Sequence, residues 1–164
     1  MRIFVNKHGV PSKARMVLHQ DSSFGMAVPD LGVDYQIGLD DLGKLALDFN
    51  FATGKCISVE GYSTDKLASF RECDLAIDAA TDCDLRMAPS DDDPTEFGMS
   101  FKVPLEGRFI DPKRKRIRFG TPSVSSIAYR FGEGQYIYFN GGDIESILIE
   151  FYIVEGAFPA GRRG

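Results

Sequence analysis

The feature that most constrains this sequence is the alternation of apolar and polar residues along short stretches. Large apolar residues occupy every second position in residues 45–51, 127–131 and 147–153. Successive side chains of a β-strand point to opposite faces, so these stretches predict strands with one buried face. Residues that favour turns recur about every ten positions, and this spacing is typical of short antiparallel strands joined as hairpins.

Three turn sequences predict where hairpins form. One lies at residues 52–54, where Gly54 ends the run Ala-Thr-Gly. Another lies at residues 140–143, where two consecutive glycines accept a positive φ without steric cost. The third, at residues 111–114, has an aspartate followed by a proline, which suits the first two positions of a type I turn. We therefore expect a hairpin at each of these three places.

The register of the first hairpin depends on the length of its loop. A two-residue loop would place apolar residues opposite polar ones. A three-residue loop, with Gly54 in the left-handed conformation, pairs Leu47 with Val59. It also pairs Phe49 with Ile57, so that one face of the hairpin is continuously apolar. We therefore predict a type I turn followed by a glycine bulge.

The pattern as a whole predicts a single all-β domain. The chain has 164 residues, which is the size of one domain, and its helical signals are limited to a few short turns. Many short strands at regular spacing predict an antiparallel β-sandwich or β-barrel built of hairpins. We assign residues 1–155 to this domain and residues 156–164 to a flexible C-terminal tail.

Charge is distributed unevenly along the chain. The sequence has 19 basic and 24 acidic residues, a net charge of −5. Residues 72–96 contain nine acidic residues and one arginine, whereas residues 102–118 contain seven basic and two acidic residues. An acidic protein is a poor general binder of nucleic acid, and we expect no such partner. Opposite charge steers association, so the acidic stretch predicts a protein partner with a basic surface. The predicted contact residues are Asp91, Asp92, Asp93 and Glu96.

The sequence lacks the usual signatures of catalysis and cofactor binding. Its two histidines and three cysteines share no spacing typical of a metal site, and it has no glycine-rich phosphate loop and no nucleophile elbow. We predict neither a metal nor a cofactor. Weak catalytic candidates are Asp48 and Glu60, which the bulged register places diagonally across a polar face. Glycosidases use such carboxylate pairs, but a solvated sheet face explains both residues more simply.

Three tyrosines near the C-terminus are further candidates for contact with a partner. Tyr136 and Tyr138 share one side of a predicted strand, and Tyr152 lies on the last predicted strand. On an outward face these side chains would form an aromatic patch of the kind that interfaces prefer. In a core they would be buried, with their hydroxyls bonded to the backbone. The sequence leaves both alternatives open.

These features together favour a non-enzymatic binding protein. One specific version is a bacterial, immunity-like inhibitor of a basic protein. The alternatives are a small-ligand-binding barrel, a hydrolase that uses Asp48 and Glu60, and a structural homo-oligomer or homodimer that assembles through an edge strand. The sequence has neither a signal-peptide pattern nor a run of roughly 18 apolar residues, so we expect a soluble, cytoplasmic protein without membrane contact.

Overall fold

The structure is a computed structural model, and it describes residues 2–26, 35–38, 45–50, 53–61, 67–88, 100–102 and 105–163. Within these ranges the regular structure is almost entirely β, which confirms the all-β prediction. The strands are β1 (Arg2–Asn6), β2 (Ser12–Leu18), β3 (Phe24–Met26), β4 (Tyr35–Gly38), β5 (Leu45–Phe49), β6 (Cys56–Gly61), β7 (Arg71–Glu72), β8 (Thr81–Asp82), β9 (Asp84–Ala88), β10 (Ser100–Lys102), β11 (Arg108–Asp111), β12 (Arg116–Gly120), β13 (Ile127–Glu133), β14 (Gln135–Asn140), β15 (Asp143–Glu150) and β16 (Ile153–Val154). A 3₁₀ turn spans Leu67–Ser69. No helix in this described part has the length and hydropathy of a membrane span.

Most of the strands belong to one curled sheet that forms a half-barrel. Its strand order is β10-β4-β5-β6-β3-β2-β13-β14-β15-β12-β11-β7, while β16 pairs with β2 and β8 pairs with β13. Strands β1 and β9 form a separate antiparallel pair. The longest strand, β15, lies between β14 and β12 and is therefore central in its part of the sheet.

Two of the three predicted hairpins form at the predicted places. Asn140 pairs with Asp143 across a two-residue loop, in which Gly141 has a φ of 62°. Asp111 pairs with Arg116 across residues 112–115, so this loop is longer than the turn sequence alone indicates. One carboxylate oxygen of Asp111 accepts a hydrogen bond from the backbone N–H of Arg114, at 3.1 Å, and this bond closes the turn.

The first hairpin forms with a different register at its end. Leu47 pairs with Val59 and Gly54 has a φ of 66°, both as predicted. Phe49, however, pairs with Cys56, so the predicted partner Ile57 is wrong. A β-bulge adds one residue on β6 at this point. It turns the buried Cys56 towards the core beside Phe49. Residue 52 of the predicted turn lies outside the described residues.

The sheet also contains parallel pairs, which hairpins do not produce. Five pairs among the described strands are parallel: β2 with β13, β2 with β16, β8 with β13, β7 with β11, and β4 with β10. Each registers only two or three residue pairs. A parallel pair needs a long connection, so its partners are distant in sequence and the alternation pattern does not reveal them.

The concave side of the sheet is filled by one apolar cluster. Buried side chains from both ends of the chain contribute to it, among them Leu47, Phe49, Ile117, Ile137 and Phe151. Aromatic rings join the layers: the rings of Phe24 and Phe151 pack edge to face with centroids 5.6 Å apart. Apolar burial of this extent is the main source of stability for a domain of this size.

A second, smaller apolar cluster lies on the outer face of strands β12 to β15. Leu75, Ala128, Tyr138 and Leu148 form its buried part. Leu75 belongs to residues 73–82, which we call the crossing segment because it runs over this outer face from β11 to β13. Its apolar side chains cover strands that would otherwise expose tyrosine and leucine to water.

The C-terminal residues contact the domain. The backbone N–H of Arg162 donates to the carbonyl of Phe70, at 2.7 Å, and the N–H of Glu72 donates to the carbonyl of Arg162, at 2.9 Å. Phe158 packs against the inner cluster, with its ring 6.1 Å from that of Phe151. The sequence predicts a flexible tail at residues 156–164, and no local pattern in it indicates these contacts.

Candidate functional site

The crossing segment is held by a buried carboxylate from the hairpin of β11 and β12, which we call the basic hairpin. One oxygen of Asp111 accepts the backbone N–H of Leu75, at 2.9 Å, and the guanidinium of Arg114, also at 2.9 Å. The same guanidinium nitrogen lies 3.1 Å from the carboxylate of Asp74. Arg116 completes the contact by donating to the carbonyl of Leu75, at 2.7 Å. The acidic and basic stretches of the sequence therefore meet within the molecule.

The pKa of Asp111 reflects the balance between its burial and its hydrogen bonds. Burial alone would raise its pKa, because water no longer stabilises the charged form. Hydrogen bonds from the N–H of Leu75 and from Arg114 outweigh burial, so the pKa of Asp111 is held below its ordinary value. Asp111 is therefore a charged acceptor at neutral pH, and it positions the crossing segment.

The far end of the crossing segment is held by a bidentate ion pair. Arg130 donates to both carboxylate oxygens of Asp82, at 2.7 and 2.9 Å. The hydrogen bond from Arg130 is the largest reason why the pKa of Asp82 is lowered. Planar pairs of this kind fix orientation as well as distance. On the neighbouring strands Arg116 and Glu150 form a second pair, at 2.5 Å.

This internal pairing bears on the predicted acidic contact surface. Asp74 and Asp82 of residues 72–96 each bind an arginine of the same chain. The four acidic residues predicted to contact a partner lie outside the described residues: Asp91, Asp92, Asp93 and Glu96. Their role therefore stays a prediction, whereas part of the acidic stretch has a partner within the fold.

Tyr138 lies in the outer apolar cluster. It is 2% exposed, and it packs with Ala128 and Leu148 beneath the crossing segment. Burial, followed by the charge of Asp78, raises the pKa of Tyr138. Of the two alternatives for the tyrosines, burial in a core is therefore correct for Tyr138. Its packing with Leu75 also helps to position the crossing segment.

Tyr152 has the opposite environment. Its residue is 49% exposed, and the next residue, Ile153, is 43% exposed. The guanidinium of Arg15 stacks over the Tyr152 ring, 5.6 Å from its centroid, and is also bonded to Glu133 at 3.1 Å. Partial burial raises the pKa of Tyr152, and the nearby charge of Glu150 raises it further. Tyr152 is thus a fixed aromatic ring that faces water.

Tyr136 connects this ring to the sheet. It is half-buried and lies directly opposite Arg130 on β13. Burial raises the pKa of Tyr136, as does the nearby charge of Glu150. The charge of Arg130 lies near both tyrosines, and we group these side chains with Arg15 and Ile153 as the tyrosine–arginine surface. Its members are Arg15, Arg130, Tyr136, Tyr152 and Ile153.

A cleft of about 560 Å³ lies beside Tyr138, between the crossing segment and β13. Two of its apolar residues, Val124 and Ile127, are exposed large hydrophobics. The residues that line it are Asp78, Ala79, Pro122, Ser123, Val124, Ser126, Ile127, Ala128 and Tyr138. The cleft therefore combines an apolar wall with carboxylate and hydroxyl groups.

Behind the serines of this cleft lies Glu145, which holds the loop that contains them. Its carboxylate accepts the hydroxyl of Ser126, the N–H and hydroxyl of Ser123, at 2.9 and 2.8 Å, and the side-chain amide of Asn140, at 3.0 Å. These bonds, with that from Ser126 first, lower the pKa of Glu145 to about 2. The carboxylate is therefore charged throughout the physiological range.

The predicted carboxylate pair has a different environment from the one expected. Asp48 lies opposite Ser58 and Glu60 lies opposite Ala46, so the diagonal relation is as predicted. The expectation of a solvated face is wrong for Asp48, which is fully buried, because both faces of β5 are covered. Glu60 is half-buried. A carboxylate pair that shares one exposed face, as glycosidases require, is not what this hairpin provides.

The histidines and cysteines are placed separately. His8 lies in the turn after β1, and His19 pairs with Glu155 at 3.1 Å. All three cysteines are free thiols, and burial raises the pKa of Cys83 to about 12. In the described ranges, no three histidine, cysteine or acidic side chains are grouped so that they could hold a metal ion.

Strand β1 is the edge that bears on the predicted homodimer. Among the described strands it pairs only with β9, on one of its two sides. Phe4 in the middle of this strand is 38% exposed. Such an edge is open to pairing with another chain, and the homodimer stays a prediction.

No protein-family model, no curated protein and no solved structure matches this chain. Sequence reasoning identified two members of the tyrosine–arginine surface, Tyr136 and Tyr152, but it missed Arg15, Arg130 and Ile153. Arg130 alternates with Tyr129 and Phe131, so its outward position could have been read from the pattern. Arg15 lies 118 positions before its partner Glu133, and no local pattern indicates that contact.

Proposed function

We propose that this chain is a non-enzymatic protein-binding domain that contacts its partner through the tyrosine–arginine surface. The observation that carries this proposal is the exposed ring of Tyr152, stacked by Arg15 and followed by the exposed Ile153. Tyrosine and arginine are enriched at the centres of protein interfaces, because each offers a large contact area together with directional hydrogen bonds.

The arginines of this surface are already held in place. Arg130 is fixed by its bidentate pair with Asp82, and Arg15 is fixed by Glu133 and by the Tyr152 ring. A side chain that is ordered before binding loses less conformational entropy when a partner docks. The same contacts leave the tyrosine ring with a defined orientation. This preorganisation favours a binding surface over a solvated face of independent side chains.

A partner with a basic surface is the class that the charges favour. The chain carries a net charge of −5, and a negative overall field attracts a protein with a basic surface. The acidic residues 91–93 would add to this field. An inhibitor of a basic protein, acting as immunity proteins act on toxins, is one such function.

Site-specific photo-crosslinking tests the proposal. A benzophenone amino acid is placed at position 152 and, as a control, at position 106, where exposed Glu106 lies away from the surface. After irradiation in the native cell, we expect one discrete protein adduct from position 152 and none from position 106. Adducts of equal yield from both positions, or none from either, would contradict binding through this surface.

The adduct is then identified, and binding of the purified partner is measured. Tyr152→Ala should weaken binding at least tenfold, which corresponds to about 1.4 kcal/mol or more, as expected of an interface centre. Glu106→Ala is the matched surface control and should leave binding unchanged. Both variants should unfold within about 0.5 kcal/mol of the wild type, because they alter exposed side chains. Wild-type affinity for Tyr152→Ala would show that the surface is not the interface.

A further inference from the structure

Three arginines lie in one cross-strand row at the edge of the sheet where the C-terminal residues dock. Arg162 forms a parallel bridge with Arg71 of β7, and Arg71 pairs with Phe109 of β11. Phe109 pairs in turn with Arg118 of β12. Side chains of residues that pair directly across strands project to the same face. Phe109 packs against the outer apolar cluster, so the row lies on the outer face of the sheet. We call Arg71, Arg118 and Arg162 the arginine row.

The arginine row lacks the carboxylate partners that other arginines of the chain have. Within the described ranges, neither an ion pair nor a hydrogen bond joins its guanidinium groups to an acidic side chain. The Nε of Arg118 is buried without a hydrogen-bond partner, and its guanidinium stacks on the Phe109 ring, 4.7 Å from the centroid. The arginines that do pair with a carboxylate are Arg15, Arg86, Arg114, Arg116, Arg130 and Arg163. Like charges that face each other across strands are destabilising, so the row favours an anion from outside the chain.

The row is completed by the docked C-terminal segment. The N–H of Arg162 donates to the carbonyl of Phe70, at 2.7 Å, and its carbonyl accepts the N–H of Glu72, at 2.9 Å. Gly161 permits this close approach, because a Cβ there would lie 2.2 Å from Cγ2 of Ile110 and 2.8 Å from the carbonyl oxygen of Phe70. An anion that binds all three guanidinium groups would therefore stabilise the docked form of this segment.

The dimensions and the surroundings of the row favour a compact anion with several charges. Neighbouring strands lie about 4.8 Å apart, so the row spans roughly 14 Å from Arg162 to Arg118. Guanidinium groups match pairs of phosphate oxygens with two parallel hydrogen bonds. A long polyanion would also meet the crossing segment, where the side chain of Asp74 is 89% exposed, and the net charge of −5 would repel it.

We propose that the arginine row binds a small ligand with two or three linked phosphate groups. Arg162 and Arg71 are direct neighbours and hold one phosphate group, while Arg118, on the far side of Phe109, holds another. The site goes beyond the proposed protein-binding function and does not depend on it. Leu148 follows Arg118 in the same cross-strand row, and this fully buried residue separates the site from the tyrosine–arginine surface.

Titration of the isotope-labelled full chain with tripolyphosphate, at constant ionic strength, tests the site. We expect saturable backbone amide shifts in NMR spectra, confined to residues 70–73, 108–110, 117–119 and 160–163. Orthophosphate has a single phosphate group and should bind about tenfold more weakly or worse. Hydrogen exchange of the Arg162 and Glu72 amides should slow at saturation, because the ligand stabilises the docked segment. Equal affinity for the two phosphates, or shifts centred on the turn at residues 112–115, would overturn the site.

Variants separate the row from the general charge of the protein. Arg71→Gln and Arg162→Gln each alter an exposed side chain and should weaken tripolyphosphate binding about fivefold or more. Arg163→Gln is the matched control, because it makes the same change at the next residue, whose guanidinium lies 3.9 Å from the carboxylate of Glu72. It should change the affinity less than about twofold. Wild-type affinity of both Arg71→Gln and Arg162→Gln would overturn the proposal.

Two further measurements test the docked segment and the class of ligand. Gly161→Ala should displace the segment, so it should weaken tripolyphosphate binding as much as Arg162→Gln does. Wild-type affinity of Gly161→Ala would overturn the contribution of docking. A short oligothymidylate that binds more tightly than tripolyphosphate would overturn the compact ligand in favour of a nucleic acid. The crosslink from position 152 tests the protein-binding function separately, because Tyr152 lies outside the row.

Discussion

Strands β13, β14 and β15 are covered on both faces, but the two faces are held differently. On the inner face Ile137, Ile147 and Ile149 are fully buried in the apolar cluster that fills the half-barrel. On the outer face Tyr138 and Leu148 are buried only where the crossing segment passes over them. Directional bonds from charged side chains hold that segment at both of its ends.

The difference shows that the two faces of one sheet can be stabilised by different kinds of contact. Apolar contact is not directional, so the inner face needs only a matching volume of side chains. The outer cover has few apolar residues, and its position is set by Asp111 near one end and Arg130 at the other. The cover therefore leaves the tyrosine–arginine surface and the cleft exposed to solvent beside it.

The largest expected effect lies on the inner face. Phe49 and Phe151 are 0% and 2% exposed, and replacing either ring with alanine leaves a cavity among the buried side chains. We expect Phe49→Ala and Phe151→Ala each to lower the free energy of unfolding by about 3–5 kcal/mol. Urea denaturation measures this change. Phe4→Ala, at a residue that is 38% exposed, is the control, and it should cost clearly less than either variant.

A loss below about 1 kcal/mol for both phenylalanines would mean that the inner face is not the main source of stability. The inner face would then contribute no more to the free energy of unfolding than the outer face does.

A smaller effect is expected where the outer cover is held. Asp111→Ala removes the acceptor of the buried N–H of Leu75, and such an unsatisfied donor costs about 1–3 kcal/mol. Hydrogen exchange measured residue by residue should quicken in the crossing segment more than in β15. Asp74→Asn removes only an exposed ion pair, with an aspartate side chain that is 89% exposed, and should cost less than about 1 kcal/mol.

Uniform loss of protection over the whole domain would instead show that the cover and the sheet unfold as one unit, and the two faces would then not differ in how they open.

The smallest effect concerns pH and the loop beside the cleft. The pKa of Glu145 in the folded protein is about 2, below the ordinary value of 4.5. Its carboxylate therefore contributes to stability fully above about pH 4.5, and this contribution is lost as the pH falls towards 2. The melting temperature of Glu145→Gln should fall less steeply over that range than that of the wild type. An NMR titration of Glu145 with a midpoint near 4.5 would contradict the serine and asparagine contacts.

Much of the fold is predictable from the sequence because strand faces and hairpin registers are local properties. Alternation over residues 147–153 indicates which side chains of β15 point inwards, and the glycines at 141 and 142 define a two-residue loop. The positive φ of Gly54 follows in the same way from its turn. The bulge that places Cys56, instead of Ile57, opposite Phe49 cannot be predicted in this way. It depends on how β6 packs against the core.

The candidate site was predicted only in part. The exposure of Tyr152 and the burial of Tyr138 differ although both lie in strongly alternating sequence. What separates them is the crossing segment, which covers Tyr138 and not Tyr152. Its course is decided by contacts such as the one between Leu75 and Asp111, which are 36 residues apart.

The sequence by itself determined that the chain is all-β, where its principal hairpins turn, and that acidic and basic residues are segregated along it. These properties arise within stretches of about 25 residues or fewer, where side-chain alternation and turn chemistry act directly. Only the tertiary structure decided that the crossing segment contacts Arg114 and Arg116, that the C-terminal residues dock, and that parallel pairs join the sheet. Those features join residues distant in the chain, and no local pattern records which of many compatible partners a strand or a charge will meet.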